Sequence, residues 1–284
     1  MTNREEQWKG RETAVNAQTA QTAEAAQAVE AAQAETAVNA QAALREKAVA
    51  VTGLSKSYSG KKVIENLNLT IRTGQIYGLL GANGTGKSTA VECILGTRRA
   101  DSGEVRILGL DPVTERRHLF EQVGVQFQEA SYPDRIKVRE LCEETACLYE
   151  KTADYRDLLR QFKLEDKADS MLSQLSGGQK QRLFIILALI PGPRVVFLDE
   201  LTTGLDTKSR REVWKCLLEM KDKGLSICLV SHFMDEVEML CDQIGILRDG
   251  MFVFEGTVKE AVDNSPYSNL EDAYLWWTQE EENR

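Results

Sequence analysis

The pattern of hydrophobic and polar positions changes near residue 48. Beyond this point Leu67, Leu69 and Ile71 alternate with polar residues, which predicts a half-buried β-strand. Short apolar runs of strand length follow at residues 76–80, 105–108, 123–127, 195–198, 227–230 and 244–247. Because helical stretches separate several of these runs, we expect an α/β fold with a mainly parallel sheet and helices packed on it.

Two further patterns add detail to this fold. The dipeptide Asp249-Gly250 follows the apolar run at 244–247 and is a typical hairpin turn, so the sheet should include an antiparallel portion. Residues from about 130 to 182 have helical periodicity and few strand signals. They predict an α-helical subdomain inserted into the α/β domain.

Residues 1–47 form a leader of different composition. Between residues 13 and 43 there are 14 alanines and no aromatic residue, Gly or Pro, and TAVNAQ occurs at both 13–18 and 36–41. Alanine favours helix, but these side chains offer almost nothing to bury, and isolated helices are marginal in water. We expect a partly helical or disordered spacer, with a weak helix-association segment as the alternative, followed by a folded domain over residues 48–284.

A glycine-rich loop joins the apolar run at 76–80 to a stretch compatible with a helix. It matches the pattern G-x-x-x-x-G-K-[ST], and its residues are Gly81, Ala82, Asn83, Gly84, Thr85, Gly86, Lys87, Ser88 and Thr89. Glycines let backbone N–H groups surround phosphate oxygens, and a helix N-terminus favours the negative charge. In such a loop the lysine reaches the β- and γ-phosphates and the serine hydroxyl is placed to bind Mg²⁺. Taken alone, the loop predicts a nucleoside triphosphate site, with a structural glycine turn as the alternative.

Two later segments favour phosphoryl-transfer chemistry. LSGGQ occupies residues 175–179, and the run VVFLDE at 195–200 ends in the acidic pair Asp199 and Glu200. The carboxyl end of a strand in a parallel sheet faces the crevice where ligands bind. There Asp199 would orient the metal and Glu200 would polarise an attacking water, although an acidic pair in a solvated turn is the plain alternative.

In this order the motifs closely resemble the ATP-binding cassette (ABC) ATPases, of which LSGGQ is the signature and which have a P-loop ATPase core. The resemblance covers about residue 48 to the C-terminus. It implies that Tyr58 stacks on adenine, that Gln128 contacts Mg²⁺ and the attacking water, and that His232 contacts the γ-phosphate. Each of these side chains alone has a plain structural alternative. Leu201 departs from the family, which usually has proline there, and this leaves open how rigid the turn after Glu200 is.

The signature also implies a dimer. LSGGQ opens a helix that Ser176 can cap, and the N–H groups of Gly177, Gly178 and Gln179 can bind an anion. In the family this anion is the γ-phosphate of ATP held by the other subunit, and Asp206 of the TGLD loop, residues 203–206, lies at the same interface. One chain has one phosphate loop and one signature, so the resemblance implies a head-to-tail homodimer with two ATP sites.

Composition narrows the choice of partners. The net charge is −9, from 35 basic and 44 acidic residues, which disfavours a nucleic-acid-binding surface. The six cysteines contain no C-x-x-C pair, which is typical of reduced thiols in a cytosolic protein. The longest apolar run, residues 183–190, is too short to span a bilayer, so membrane association would depend on a partner.

These observations predict the ATP-hydrolysing subunit of an ABC transporter. The resemblance implies a peripheral position on the cytoplasmic face of the membrane, through a separate integral membrane permease that docks against residues 129–140, with Tyr132 as an apolar contact. The ending SNLEDAYLWW resembles the exporter branch for drugs, lipids and polysaccharides, and its stripe of Leu270, Ala273, Tyr274 and Trp277 is interpreted as core packing. The alternative is a soluble ABC ATPase acting mechanically on nucleic acid or ribosomes, which the single cassette and acidic charge disfavour.

Overall fold

The computed structural model describes residues 47–127 and 132–278. The leader and Gln128 lie outside these residues, so the predictions made for them stay predictions. The first strands form a three-stranded antiparallel sheet in the order β2-β1-β4, which consists of β1 (Lys47–Tyr58), β2 (Lys61–Arg72) and β4 (Ser102–Ile107). Leu67, Leu69 and Ile71 are buried on one face of β2, as their alternation predicts.

A six-stranded sheet forms the centre of the domain. Its order is β5-β6-β7-β3-β8-β9, and its strands are β3 (Ile76–Leu80), β5 (Val123–Gln126), β6 (Val195–Asp199), β7 (Ser226–Val230), β8 (Gln243–Arg248) and β9 (Met251–Gly256). The pairings from β5 to β8 are parallel, and β9 runs antiparallel to β8. Asp249 and Gly250 join β8 to β9 with φ angles of 50° and 79°, the left-handed geometry of a tight hairpin turn. The predicted mainly parallel sheet with an antiparallel portion is confirmed.

Helices connect these strands and pack against the sheets. They are α1 (Lys87–Ile94), α2 (Arg116–Phe120), α3 (Val138–Ala146), α4 (Tyr155–Gln161), α5 (Gly177–Leu189), α6 (Thr207–Asp222), α7 (Met234–Leu240), α8 (Val258–Asp263) and α9 (Leu270–Thr278). Between residues 132 and 176 the chain forms α3, α4 and two short 3-10 turns, and no strand of the two sheets lies there. Helix α5 begins at Gly177 and continues past residue 182 to Leu189 beneath the sheet, so its second half belongs to the α/β core.

The C-terminal helix packs as its stripe predicts. Leu270 and Ala273 are fully buried, and Tyr274 and Trp277 pack against the same cluster. The indole N–H of Trp277 donates to the carbonyl oxygen of Ala261 at 3.0 Å, which fixes α9 to α8. This stripe is therefore part of the core rather than an open binding surface.

Two further observations concern the environment of the chain. Within residues 47–127 and 132–278, no helix is long and apolar enough to cross a membrane. The six cysteines are free thiols, and Cys93, Cys142 and Cys228 are buried.

Candidate nucleotide site

The phosphate loop lies between the end of β3 and the start of α1. Gly84 and Gly86 have φ angles of 83° and 106°, in the left-handed region that favours glycine. A side chain at Gly86 would also collide with the chain, because its Cβ would lie 2.7 Å from the carbonyl oxygen of Val63. The hydroxyl of Thr85 donates to the carbonyl oxygen of Ala82 at 2.9 Å and closes the loop on itself. The glycines are therefore required by the backbone path of the loop.

Lys87 is the cation of this loop. Its Nζ atom donates to the carbonyl oxygens of Gly81 at 2.7 Å and Ala82 at 3.0 Å. Burial lowers the pKa of Lys87, while the charges of Asp199 and Glu200 oppose that fall. The ammonium group therefore lies across the mouth of the loop, where phosphate oxygens can replace the two carbonyl partners.

The acidic pair and the phosphate loop line one cavity of about 400 Å³. Its lining residues are Val63, Asn83, Gly84, Gly86, Lys87, Ser88, Thr89, Asp199 and Glu200. Burial raises the pKa of Asp199 to about 6, Glu200 adds to the rise, and Lys87 opposes it. Sequence reasoning predicted eight of these nine residues and missed Val63, a half-buried strand residue with no distinguishing local signal.

The same cavity fits a magnesium ion that is bound together with a nucleotide. Mg²⁺ is commonly held by one or two carboxylates or hydroxyls of the protein, with phosphate oxygens and water completing its shell. Ser88 and Asp199 supply such groups on one wall. The described residues contain no cluster of three or more His, Cys, Asp or Glu side chains that could hold a metal without a nucleotide.

Glu200 has an unusual backbone conformation. Its φ angle is 51°, and a left-handed non-glycine residue persists only when its surroundings hold it there. Its N–H group donates to the carbonyl oxygen of Val230 at 2.9 Å, and Nε2 of Gln181 donates to its carbonyl oxygen at 3.2 Å. Leu201 is fully buried in the core below. Packing and hydrogen bonds thus hold the turn that a proline would otherwise stiffen.

His232 lies beside this turn. Its Nδ1 atom is 3.6 Å from Oε1 of Glu200, and its ring contacts Phe233 with 4.1 Å between the ring centroids. About half of the His232 side chain is exposed to solvent. The structure therefore places His232 beside Glu200, which lines the cavity together with Lys87 and Asp199.

The signature lies outside this cavity. The hydroxyl of Ser176 accepts a hydrogen bond from the N–H of Gln179, and Oε1 of Gln179 accepts one from the N–H of Ser176, which confirms Ser176 as the helix cap. Gly177 is exposed with open space around it, whereas a side chain at Gly178 would lie 2.9 Å from Leu205. None of these residues lines the phosphate cavity of its own chain.

Asp206 and Tyr58 also lie outside the cavity lining. Asp206 caps α6, because its carboxylate accepts from the N–H and the hydroxyl of Ser209, both at 2.9 Å. Tyr58 ends β1 with 38% of its surface exposed, and the cationic groups of Lys56 and Arg98 each lie 5.4 Å from the centroid of its ring. The ring is thus an accessible aromatic surface flanked by positive charge.

The fold and the cavity together define a P-loop nucleoside triphosphatase.

Comparisons with known proteins agree with this class. The family model described as "ABC transporter" matches residues 64–203. The Nod factor export ATP-binding protein I of Burkholderia lata is 36% identical over 217 residues, covering 74% of this chain and 71% of that protein. The protein of the same name from Rhizobium meliloti is 38% identical over 222 residues, covering 76% and 66%.

Solved structures have the same fold. The ATP-binding subunit of an ABC transporter superposes with a TM-score of 0.75 at 26% identity, covering 81% of this chain and 99% of that one. A dimeric bacterial ABC transporter cassette superposes with a TM-score of 0.66 at 24% identity, covering 74% and 98%. The chain belongs to the ABC transporter family, as an ATP-binding subunit that hydrolyses ATP.

Proposed function

We propose that two copies of this chain bind two ATP molecules between them, head to tail, and so drive an exporter. The observation that supports this arrangement is the separation of the two half-sites within one chain. The phosphate loop, Asp199 and Glu200 together line the cavity. The signature helix begins outside that cavity at Gly177, which is exposed and has open space around it. A second copy would place its own helix N-terminus opposite the γ-phosphate and complete the site.

The site residues then take distinct roles. The backbone N–H groups of residues 81–89 and the Lys87 ammonium bind the phosphates, and Tyr58 stacks on the adenine. Mg²⁺, held by Ser88 and Asp199 and contacted by Gln128, would neutralise charge that develops on the phosphate oxygens. Glu200 accepts a proton from the attacking water and His232 donates to the γ-phosphate.

The signature and the adjoining loop complete this scheme. Ser176, Gly177, Gly178 and Gln179 contact the γ-phosphate held by the partner chain. Asp206 lies at the dimer interface while it caps its own helix. The ATP-bound dimer and the separated state then form a two-state switch whose bias is set by the nucleotide.

The direction of transport is inferred from the relatives. Several of them are named as export ATP-binding proteins, and we extend export to this chain. We also propose that the folded cassette over residues 48–284 sits on the cytoplasmic face of the membrane through a separate permease, and that residues 1–47 form a separate leader. The acidic net charge supports a protein partner rather than nucleic acid.

A mixing experiment tests the head-to-tail arrangement. Lys87→Ala removes the phosphate-binding cation, and Gly177→Ala blocks the signature without a clash inside its own chain. Each homodimer should be inactive, because both of its sites contain the same defect. In a mixed dimer one site combines both defects and the other is intact, so mixing the two inactive proteins should restore ATPase activity.

The mixing experiment can also contradict the head-to-tail arrangement. If phosphate loop and signature acted within one chain, mixing would restore nothing. Gly177→Ala should melt at the wild-type temperature and still bind ATP as a monomer, which separates a blocked interface from a misfolded chain.

A further inference from the structure

Glu236 is a fully buried carboxylate that lies outside the phosphate cavity. It belongs to the first turn of α7, and none of its surface is exposed. Burial raises the pKa of this carboxyl, while hydrogen bonds from neighbouring side chains and the charge of Arg210 oppose the rise. Burying a carboxylate costs free energy unless its oxygens are bonded, so what Glu236 binds indicates what it does.

One oxygen of Glu236 holds the segment that carries His232. The hydroxyl of Ser231 donates to Oε2 of Glu236 at 2.6 Å. The same hydroxyl accepts a hydrogen bond from the N–H of Phe233 at 3.1 Å. Because Ser231 and Phe233 flank His232, these two bonds fix the backbone on both sides of the histidine.

The other oxygen of Glu236 binds helix α6, which follows the turn after Glu200. The indole N–H of Trp214 donates to Oε1 of Glu236 at 3.1 Å, and both side chains are buried. Trp214 belongs to α6, whose N-terminus is capped by Asp206. Glu236 therefore connects the His232 segment directly to the helix that begins at the TGLD loop.

The turn after Glu200 meets the same carboxylate. Thr202 is fully buried, and within the described residues its hydroxyl oxygen makes no hydrogen bond. It still lies near enough to Glu236 to lower the pKa of that carboxyl. The carboxylate thus stands where three segments of the catalytic region converge.

The positive charge of Arg210 also favours the ionised form of Glu236. Its Nη1 atom bonds Oδ2 of Asp235 at 2.8 Å, and its guanidinium lies 4.8 Å from the centroid of the Phe233 ring. The cation therefore contacts the residue after His232 as well as α7.

We propose that Glu236 is a positioning residue for ATP hydrolysis, which couples the segment around His232 to the turn after Glu200 and to helix α6. This inference rests on the proposed function, in which His232 contacts the γ-phosphate. Through Glu236, a change in the position of His232 would be transmitted to α6 and the TGLD loop before it. Glu236 itself touches neither nucleotide nor water in this scheme. Its carboxylate acts through Ser231 on one side and Trp214 on the other.

Glu236→Gln tests the inference in the full chain. Glutamine keeps the volume of the side chain, and its amide oxygen can still accept the hydrogen bond from Trp214. Its N–H₂ group would then face the Ser231 hydroxyl and could not accept the hydrogen bond that Ser231 donates to Glu236. We expect kcat to fall roughly tenfold, while the Kd for ATP, measured by titration calorimetry, changes little because the phosphate loop is untouched. Glu238→Gln, the same change at an exposed position of α7, is the matched control and should retain wild-type kcat.

A double-mutant cycle tests whether Glu236 acts through Ser231. Ser231→Ala removes the bond to Glu236 but leaves the carboxylate paired with Trp214, so it should also lower kcat at nearly constant Kd. If both changes break one connection, the double variant should be no slower than the slower single variant. Effects that multiply would show that Glu236 does not act through Ser231.

A merely structural role gives a different result. In that case Glu236→Gln would lower the melting temperature, and the kcat per folded molecule would remain at the wild-type value. That outcome would overturn the inference. It would leave the rescue by mixed Lys87→Ala and Gly177→Ala chains intact, so the proposed function would stand.

Discussion

Nδ1 of His232 lies 3.6 Å from Oε1 of Glu200, although the two residues belong to separate segments of the chain. Strands β6 and β7 are hydrogen-bonded neighbours, and Glu200 and His232 follow their carboxyl ends. The N–H of Glu200 also donates to the carbonyl oxygen of Val230, the last residue of β7. The sheet thus brings together the two side chains that we propose as the proton acceptor and the phosphate contact.

Replacing Glu200 with glutamine tests its role as the base. A neutral amide cannot accept a proton from water, so Glu200→Gln should lower kcat by at least about 100-fold. ATP binding should remain, because Lys87 and the loop glycines are unchanged. The ATP-bound dimer should then accumulate, and size-exclusion chromatography in Mg-ATP should show it, with an ADP sample as the control. A variant with wild-type turnover and no such dimer would remove Glu200 from the mechanism.

The raised pKa of Asp199 predicts a specific dependence of stability on pH. Its folded pKa of about 6 lies above the usual value for an unfolded chain, so the folded state binds more protons between those values. This contribution to stability is present below about pH 4 and is lost as the pH rises through 6. At pH 7 Asp199→Asn should therefore be more stable than wild type by about 1 kcal/mol, after allowing for partial solvation of the carboxyl.

Urea denaturation at pH 4 and pH 7 measures this difference. Divalent cations must be removed, because a bound cation would stabilise the wild-type carboxylate. The advantage of Asp199→Asn should nearly vanish at pH 4, and Mg-dependent turnover should be lost at every pH. An asparagine variant less stable than wild type at pH 7 would contradict the prediction.

The sequence predicts the fold and the phosphate cavity well because both depend on local patterns. Apolar runs of strand length predicted five of the six central strands, and the Asp249-Gly250 turn indicated the sixth, β9, whereas the run at 105–108 belongs to the antiparallel sheet. The loop motif itself identified the residues of the phosphate loop. The buried network around Glu236 has no such pattern, since Thr202 and Trp214 are distant from Glu236 in the chain and Glu236 itself resembles any acidic helix residue. The burial of Tyr132 could not be predicted for the same reason. Tyr132 is half-buried, and its ring centroid lies 5.3 Å from that of Phe184, a contact that no local sequence rule indicates.

The C-terminal helix provides a matched pair for stability. Trp277 packs against Phe254 with 5.0 Å between their ring centroids and bonds Ala261 through its indole N–H. Trp277→Ala should lower the free energy of unfolding by about 2–3 kcal/mol, because it leaves a cavity and an unpaired carbonyl. Trp276→Ala removes a more exposed ring and should cost about 1 kcal/mol or less. Equal effects of the two substitutions in urea denaturation would show that the stripe is not core packing.

The permease should dock on the groove beside Tyr132. This groove has a volume of about 370 Å³, and its lining includes Phe127, Tyr132, Leu148 and Phe184. Leu148 is 75% exposed and Phe127 is 41% exposed, so the groove offers apolar surface next to the strand that leads to Gln128. A short helix of a membrane partner would bury this surface.

Leu148→Ser removes apolar surface without disturbing the core, since its side chain is mostly exposed. It should leave basal ATPase activity and melting temperature unchanged and weaken binding to the permease by about 1–2 kcal/mol, as truncation of an interface contact does. Tyr132→Ala should weaken binding as well, and it should also lower the melting temperature because it removes the contact with Phe184. Leu275→Ser, an equivalent change at a half-exposed leucine of α9, is the control and should retain wild-type binding in a pull-down with the permease. Equal binding of the Leu148 and Leu275 variants would place the docking surface elsewhere on the cassette.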